Sequence, residues 1–164
     1  MDANFYLENF QKIANQLNKN IFSERNIEIS VGIYVDSVFL KLYKKSWSSN
    51  PEAALTANSR IFFSIWVNDA TLKKQQIMYN IHALKLRNLK GYSIQSRKFA
   101  ESFRHSFKEF EHNWPNVSTN HGPLTLMEGF LKMDSTNFQD EILKIANNFL
   151  EIEHLIDETL NQFK

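Results

Sequence analysis

Aromatic residues recur at helical spacing between Ser96 and Trp114, and this is the most regular hydrophobic pattern of the chain. Spacings of four, four, three and four separate its five rings, which belong to Phe99, Phe103, Phe107, Phe110 and Trp114. Such spacing aligns side chains along one face of a helix. The pattern predicts an aromatic-striped helix that begins at a Ser96 cap and ends at Trp114, because the residue before a proline is pushed out of helical geometry.

A period of two, which is typical of strands, begins after Asn26. The alternating apolar residues are Ile27, Ile29, Val31, Ile33 and Val35, followed by Val38, Leu40 and Leu42. We predict a hairpin that turns at Asp36 and Ser37, with Val35 opposite Val38. The same register sets Glu28 opposite Lys45, so that opposite charges meet.

Three further segments complete the predicted sheet. Residues 48–59 form a loop with a helical turn after Pro51, and a third strand runs from Arg60 to Val67. The stretch 75–89 has the composition of a helix, but its apolar residues scatter around a helical wheel and alternate well as a strand. We favour a fourth strand with one bulge near Ala83 and Leu84, and residues 123–134 as a weaker fifth strand.

Helices flank these strands at both ends of the chain. An amphipathic first helix is predicted from Asn4 to Leu17, and a last helix of about 28 residues, roughly 42 Å long, from a cap at Ser135 or Thr136 to near Phe163. The elements predict one α+β domain over residues 1–164, in the order α-β-β-β-β-α-β-α. An antiparallel sheet of about five strands is packed by the first helix, the central aromatic helix and the long last helix.

Composition narrows the classes of protein that the chain can belong to. Its 164 residues include 14 Phe and no Cys, which excludes disulfides, thiolate metal sites and a cysteine nucleophile. The first residues lack the basic and apolar pattern of a signal peptide, and no apolar run reaches the length of a membrane span. We therefore expect a cytoplasmic protein with no membrane partner.

Charge is distributed unevenly although the net charge is only +1. Residues 69–109 carry nine basic and three acidic side chains, and residues 110–164 carry three basic and nine acidic ones. Mutual neutralisation of neighbouring segments is the simpler interpretation, and a basic face for an anionic partner is the alternative.

Motifs for catalysis or metal binding are weak. Two Glu-x-x-His units, Glu109 with His112 and Glu151 with His154, have the spacing found in di-iron helical bundles. Each unit lies opposite the apolar stripe of its predicted helix, so we expect no metal and no cofactor. The sequence lacks a glycine-rich phosphate loop and a nucleophile elbow, and no strand carries the Glu-x-Lys spacing of a PD-(D/E)xK nuclease. A small hydrolase or nuclease is thus the least favoured hypothesis, and we predict no catalytic residue.

The stronger signal is a sheet face that combines rings with cations. If helices cover the aliphatic face, the candidate binding residues on the other face are Lys41, Tyr43, Lys45, Trp47, Trp66 and His82. We predict a non-catalytic binding or interaction module for a protein or a small ligand, including self-association as a dimer. Two alternatives remain open: the last helix covers this face as a second core, or the chain binds nucleic acid through the basic segment 73–108. The candidate residues for nucleic acid are Lys85, Arg87, Lys90, Arg97, Arg104 and Lys108.

Overall fold

The computed structural model describes residues 1–134 and 136–164. Five antiparallel strands form one sheet, which confirms the predicted α+β fold, and each strand neighbours the next along the chain. The strands are β1 (Ile27–Tyr34), β2 (Ser37–Lys44), β3 (Arg60–Val67), β4 (Gln76–Leu84) and β5 (Thr125–Lys132). The helices are α1 (Ala3–Gln16), α2 (Lys19–Glu24), α3 (Asp69–Lys73), α4 (Ser96–Phe107), α5 (Phe138–Asn148) and α6 (Glu153–Asn161).

The first hairpin turns one residue earlier than predicted. Tyr34 pairs with Ser37, so the turn consists of Val35 and Asp36, and Glu28 lies opposite Tyr43 rather than Lys45. Val35 takes a φ of 56°, a conformation that β-branched residues rarely adopt. The predicted register was therefore wrong by two residues. Because side chains alternate with a period of two, this error leaves every residue on its predicted face.

The ambiguous stretch 75–89 is a strand only in its first part. β4 ends at Leu84, Lys85 adopts a left-handed conformation with a φ of 48°, and Leu86–Asn88 form a short 3-10 helix. The irregularity in pairing lies between Ile81 and His82 against β5, not at Ala83 and Leu84. The predicted fourth strand is confirmed, while its extension to residue 89 and the position of its bulge were wrong.

The helices cover the aliphatic face of the sheet. Leu40, Phe63 and Ile81 on this face are fully buried, together with Phe10 and Ile13 from α1. Phe149, which follows α5, stacks on Phe63 with ring centroids 4.7 Å apart. The core therefore lies between one sheet face and the helices, and the last helical segment does not form a second core on the other face.

The aromatic helix is shorter than its stripe. α4 ends at Phe107 and continues as a 3-10 helix over Lys108–Asn113. Phe99, Phe103, Phe107 and Trp114 are buried, whereas Phe110 is half-buried against His154. Ser96 is the first helical residue and not the cap, which is Gln95 without a side-chain hydrogen bond.

The predicted single C-terminal helix is broken. After α5, residues Phe149–Glu151 form a 3-10 turn, and Ile152 leaves helical geometry with a φ of −122° before α6 begins. The break lets α5 pack on α1 and α6 pack on α4, which one straight helix cannot do. Ser135, one of the two predicted caps, lies outside the described residues, and the residue before α5 is Asn137 rather than Thr136.

Candidate functional site: a cavity on the open sheet face

The open sheet face is the side of the sheet that the helices leave uncovered. Phe39, Lys41, Trp66 and His82 on this face are half-buried, although no described helix packs over them. Partial cover comes from the 3-10 segment Pro51–Thr56, which follows the loop after β2. The strands thus place rings and cations in a sheltered but accessible position.

A cavity of about 460 Å³ opens on this face. Its floor is formed by alternate residues of β2, β3 and β4, and Leu55 and Thr56 close one side. The side chains that give it chemical character are Phe39, Lys41, Arg60, Phe62, Ser64, Trp66 and His82. This volume falls within the range typical of small-molecule sites.

Lys41 lies between two aromatic rings of the cavity. Its Nζ is 4.3 Å from the Phe39 ring centroid and 4.5 Å from that of Phe62, within the range of cation–π attraction. No acidic residue lines the cavity, and Lys41 forms no ion pair with any described residue. Burial among these rings, with the nearby charge of Arg60, lowers the pKa of Lys41 to about 8.

Arg60 supplies the second cation. Its Nη1 donates to the carbonyl oxygen of Ala57 at 2.6 Å, and its guanidinium carbon lies 5.8 Å from the Phe62 centroid. The buried Nε of Arg60 has no described hydrogen-bond partner. Both cations therefore lie near the ring of Phe62, and neither has all of its N–H donors satisfied by described residues.

A polar row runs beside the cavity from β4 to β5. The Asn80 Nδ2 donates to Glu128 Oε2 at 3.0 Å and lies 3.0 Å from His82 Nε2, while Asn80 Oδ1 is buried without a described partner. Burial lowers the pKa of His82. The charge of Glu128 opposes this effect, and the charges of Lys41 and Arg60 add to it. His82 is thus held neutral, packed against Phe62 at 5.2 Å between ring centroids.

Three of the six predicted binding residues, Lys41, Trp66 and His82, line the cavity together. Tyr43 lies on the same face, half-buried, but outside the cavity lining. Lys45 lies beyond the end of β2, exposed, with its Nζ 3.8 Å from Glu28 Oε1.

The predicted position of Trp47 was wrong. A 3-10 turn at Lys45–Trp47 ends the strand alternation and directs the indole into the core, where it is fully buried. Its Nε1 donates to Asp157 Oδ1 at 2.8 Å, and its ring meets Phe149 edge-on. Trp47 therefore links β2 to the C-terminal helices and does not belong to the open sheet face.

The residues predicted for nucleic acid do not form one surface with free donors. Arg104 donates to main-chain carbonyls at the start of β5 and in the segment before it, through Nε to Leu126 and through Nη2 to His121, Gly122 and Thr125. Lys85 donates to Asn58. The exposed members are Lys85, Arg87, Lys90, Arg97 and Lys108.

The two Glu-x-x-His units lie at the surface. Glu109, His112, Glu151 and His154 are all exposed, on the sides of their helical segments predicted from sequence. Within residues 1–134 and 136–164, no group of three or more His, Asp or Glu side chains is arranged to hold a metal ion.

Several cavity residues were not among the six predicted binding residues. Arg60, Phe62 and Ser64 follow from the same strand alternation that identified Lys41, so the sequence pattern contained their signal. Leu55 and Thr56 reach the cavity only because the loop after β2 folds back over the sheet. No local pattern indicates that contact.

Comparisons with known protein families, with curated proteins and with solved structures find no match to this chain. No helix in the described part of the chain combines the length and the apolar character needed to cross a membrane.

Proposed function

We propose that this chain is a non-catalytic binding module that holds a small organic anion in the cavity of the open sheet face. One observation carries the proposal: two cations meet aromatic rings in a sheltered cavity whose described lining contains no acidic residue. A buried charge without a partner costs free energy, so residues of this kind are expected where a ligand supplies the opposite charge.

The contrast with Lys44 on the same strand supports an anionic ligand. Lys44 Nζ lies 2.7 Å from Glu153 Oε2 and 2.6 Å from Asp157 Oδ2, so this partly buried ammonium is neutralised from within the chain. Lys41, three residues earlier, has no such partner among the described residues. A carboxylate or phosphate placed between Lys41 and Arg60 would receive charge-assisted hydrogen bonds from both.

The rings favour a ligand with a flat apolar part. Phe39 and Trp66 are half-buried and present aromatic surface to the cavity, and aromatic groups stack with offset or edge-to-face geometry. The cavity volume of about 460 Å³ suits one small molecule.

Nucleic acid binding is the alternative with less support, because Arg104 and Lys85 already donate to groups of the chain itself. A single-strand platform also needs an extended row of exposed rings, whereas Phe62 is 5% exposed. A protein partner or self-association remains part of the proposal for surfaces outside the cavity. The cysteine-free composition accords with a cytoplasmic location, which we propose with the function.

The test uses phenyl phosphate and benzoate as probes and benzyl alcohol as the uncharged control. Amide chemical shifts, followed during titration, should change in β2, β3 and β4 with both anions and much less with the alcohol. The substitution Lys41→Gln should weaken anion binding at least tenfold, because it removes a charge-assisted contact worth about 1.5–3 kcal/mol. Lys132→Gln on β5 is the matched control, since Lys132 is exposed and lies outside the cavity.

Three outcomes would contradict the proposal. Equal binding of the alcohol would show that the cations do not take part, and shift changes confined to another surface would place the site elsewhere. Tight, salt-sensitive binding of mixed-sequence single strands that depends on Arg97 and Lys108 would favour the nucleic-acid alternative.

A further inference from the structure

The two edges of the sheet differ in how their main-chain groups are satisfied. Along the outer side of β5, Glu128 exchanges two main-chain hydrogen bonds with Ser118 at 2.8 and 3.0 Å, and Asn116 Nδ2 donates to the carbonyl oxygen of Phe130 at 3.0 Å. Arg104 satisfies two further carbonyls near the start of β5. This edge is closed to another strand.

The outer edge of β1 is open. Because Tyr34 and Ser37 flank a two-residue turn, Tyr34, Gly32 and Ser30 direct their main-chain groups toward β2. Ile29, Val31 and Ile33 therefore direct theirs outward, where no described residue donates to or accepts from them. An outward row of free N–H and C=O groups is a template for one further strand.

This edge lacks the features that usually prevent pairing. β1 is eight residues long, pairs with β2 without a bulge, and contains no lysine and no proline. The end of β1 and the first residue of the turn are exposed: Ile33 is 48% exposed, Tyr34 67% and Val35 84%. Natural edge strands are commonly protected by charge, proline, bulges or a covering segment.

We propose that β1 pairs with β1 of a second copy of this chain, antiparallel across a two-fold axis at Val31. This register joins outward-directed residues to outward-directed residues, as antiparallel hydrogen bonding requires. It sets Val31 against Val31 of the partner subunit and Ile29 against Ile33 of the partner subunit. The one charged residue of β1, Glu28, then faces Tyr34 of the partner subunit rather than another carboxylate.

The sequence of β1 favours a second copy over an unrelated strand. Its apolar residues on one face are symmetric about Val31, so the strand is complementary to itself, as a two-fold interface demands. Tyr34 also lines the cavity of the open sheet face, and its ring centroid lies 5.6 Å from Lys41 Nζ. The interface therefore borders that cavity, although the proposal does not depend on a ligand.

The absence of native cysteine allows a direct test of the register. Residues opposite each other in a hydrogen-bonded antiparallel pair have Cα atoms about 5.5 Å apart, which a disulfide can span. Mild oxidation of Val31→Cys should therefore give a covalent dimer. Leu124→Cys, at an exposed site away from β1, is the control and should cross-link far more slowly. Equal rates for the two variants would overturn the proposed register.

Sedimentation of the unmodified chain tests the interface without a substitution in the core. An interface of one strand pair is at the weak end of specific association, so the concentration series should extend to about 0.5 mM. The weight-average mass should rise toward that of a dimer, and Ile33→Lys should abolish the rise while Leu124→Lys should not. A strict monomer throughout the series, or a dimer that persists in Ile33→Lys, would overturn the proposal.

Discussion

Replacing Lys41 with methionine should stabilise the protein at pH 7 while removing one cation of the proposed anion site. Methionine keeps most of the side-chain length and apolar contact but removes the ammonium. A fall of the Lys41 pKa from 10.5 to about 8 corresponds to about 3.4 kcal/mol of preference for the neutral form. Because the side chain is half-buried, solvent screening reduces the expected gain to about 1–2 kcal/mol.

The sign follows from proton linkage. The folded-state pKa of Lys41 lies below its unfolded value, so the unfolded chain holds the proton more tightly. The destabilising contribution is complete below pH 8 and disappears as the pH rises from about 8 toward 10.5. The stability difference between Lys41→Met and the unmodified protein should therefore be largest near pH 7, and about half of it or more should be lost by pH 9.5.

Urea unfolding of both proteins at pH 7 and pH 9.5 measures this difference. Lys132→Met, which changes an exposed lysine on β5, controls for the general effect of charge and should show no such pH dependence. A Lys41→Met variant that is less stable than the unmodified protein at pH 7 would contradict this prediction, because the cation–π contacts would then outweigh the cost of burying the ammonium. A gain that stays constant with pH would refute it as well.

Three further substitutions test the packing that holds the sheet in place. Gly129→Ala should lower the free energy of unfolding by about 1–3 kcal/mol, because the added Cβ would lie 2.5 Å from Tyr79 Cζ; urea unfolding measures the loss. Val35→Gly should raise the free energy of unfolding by about 1 kcal/mol, seen as a higher Tm, because glycine accepts the positive φ of the hairpin turn. Lys44→Met should lower the free energy of unfolding, measured with urea, by about 3 kcal/mol, because it leaves buried Glu153 without its nearest cation. Adding Glu153→Gln to this variant should restore part of the lost stability.

Each of these predictions has a contradicting result. An unchanged stability in Gly129→Ala would mean that Tyr79 can move without losing its 2.6 Å hydrogen bond to the carbonyl oxygen of Pro115. A destabilised Val35→Gly would mean that valine is not strained in the turn. Full stability in Lys44→Met would show that Arg25, 3.9 Å from the same carboxylate, suffices as its counter-ion.

The strands and their two faces could be predicted because alternation is a local property of the sequence. The hairpin register could not, since local preference places a β-branched residue such as Val35 outside the left-handed region. Pairing along the whole of β1 and β2 overrides that preference and fixes the turn at Val35 and Asp36. The faces remained correct only because the error was an even number of residues.

Errors at the ends of elements had a different origin. The alternation in the sequence predicts that β2 continues to Trp47, but the chain turns after Lys44. This turn places the indole in the core, where it is stabilised by contacts with Phe149 and Asp157. The hydrophobic stripe of the last helix likewise continues through Ile152, where the backbone breaks. The position of Trp47 is decided by contacts with residues about 100 or more positions away. The break at Ile152 is decided by packing against two different helices.

The distribution of polar groups supports the proposal that the open sheet face holds a binding site. On the helix-covered side the sheet contributes aliphatic and aromatic residues, and the partly buried ammonium of Lys44 at its margin is neutralised by two carboxylates. On the open side, Lys41 and Arg60 lie among rings with donors that no described residue uses fully. Groups of this kind lower stability unless a ligand satisfies them. The fold neutralises Lys44 but gives Lys41 no acidic partner among the described residues, and this contrast supports the proposed binding of an anion.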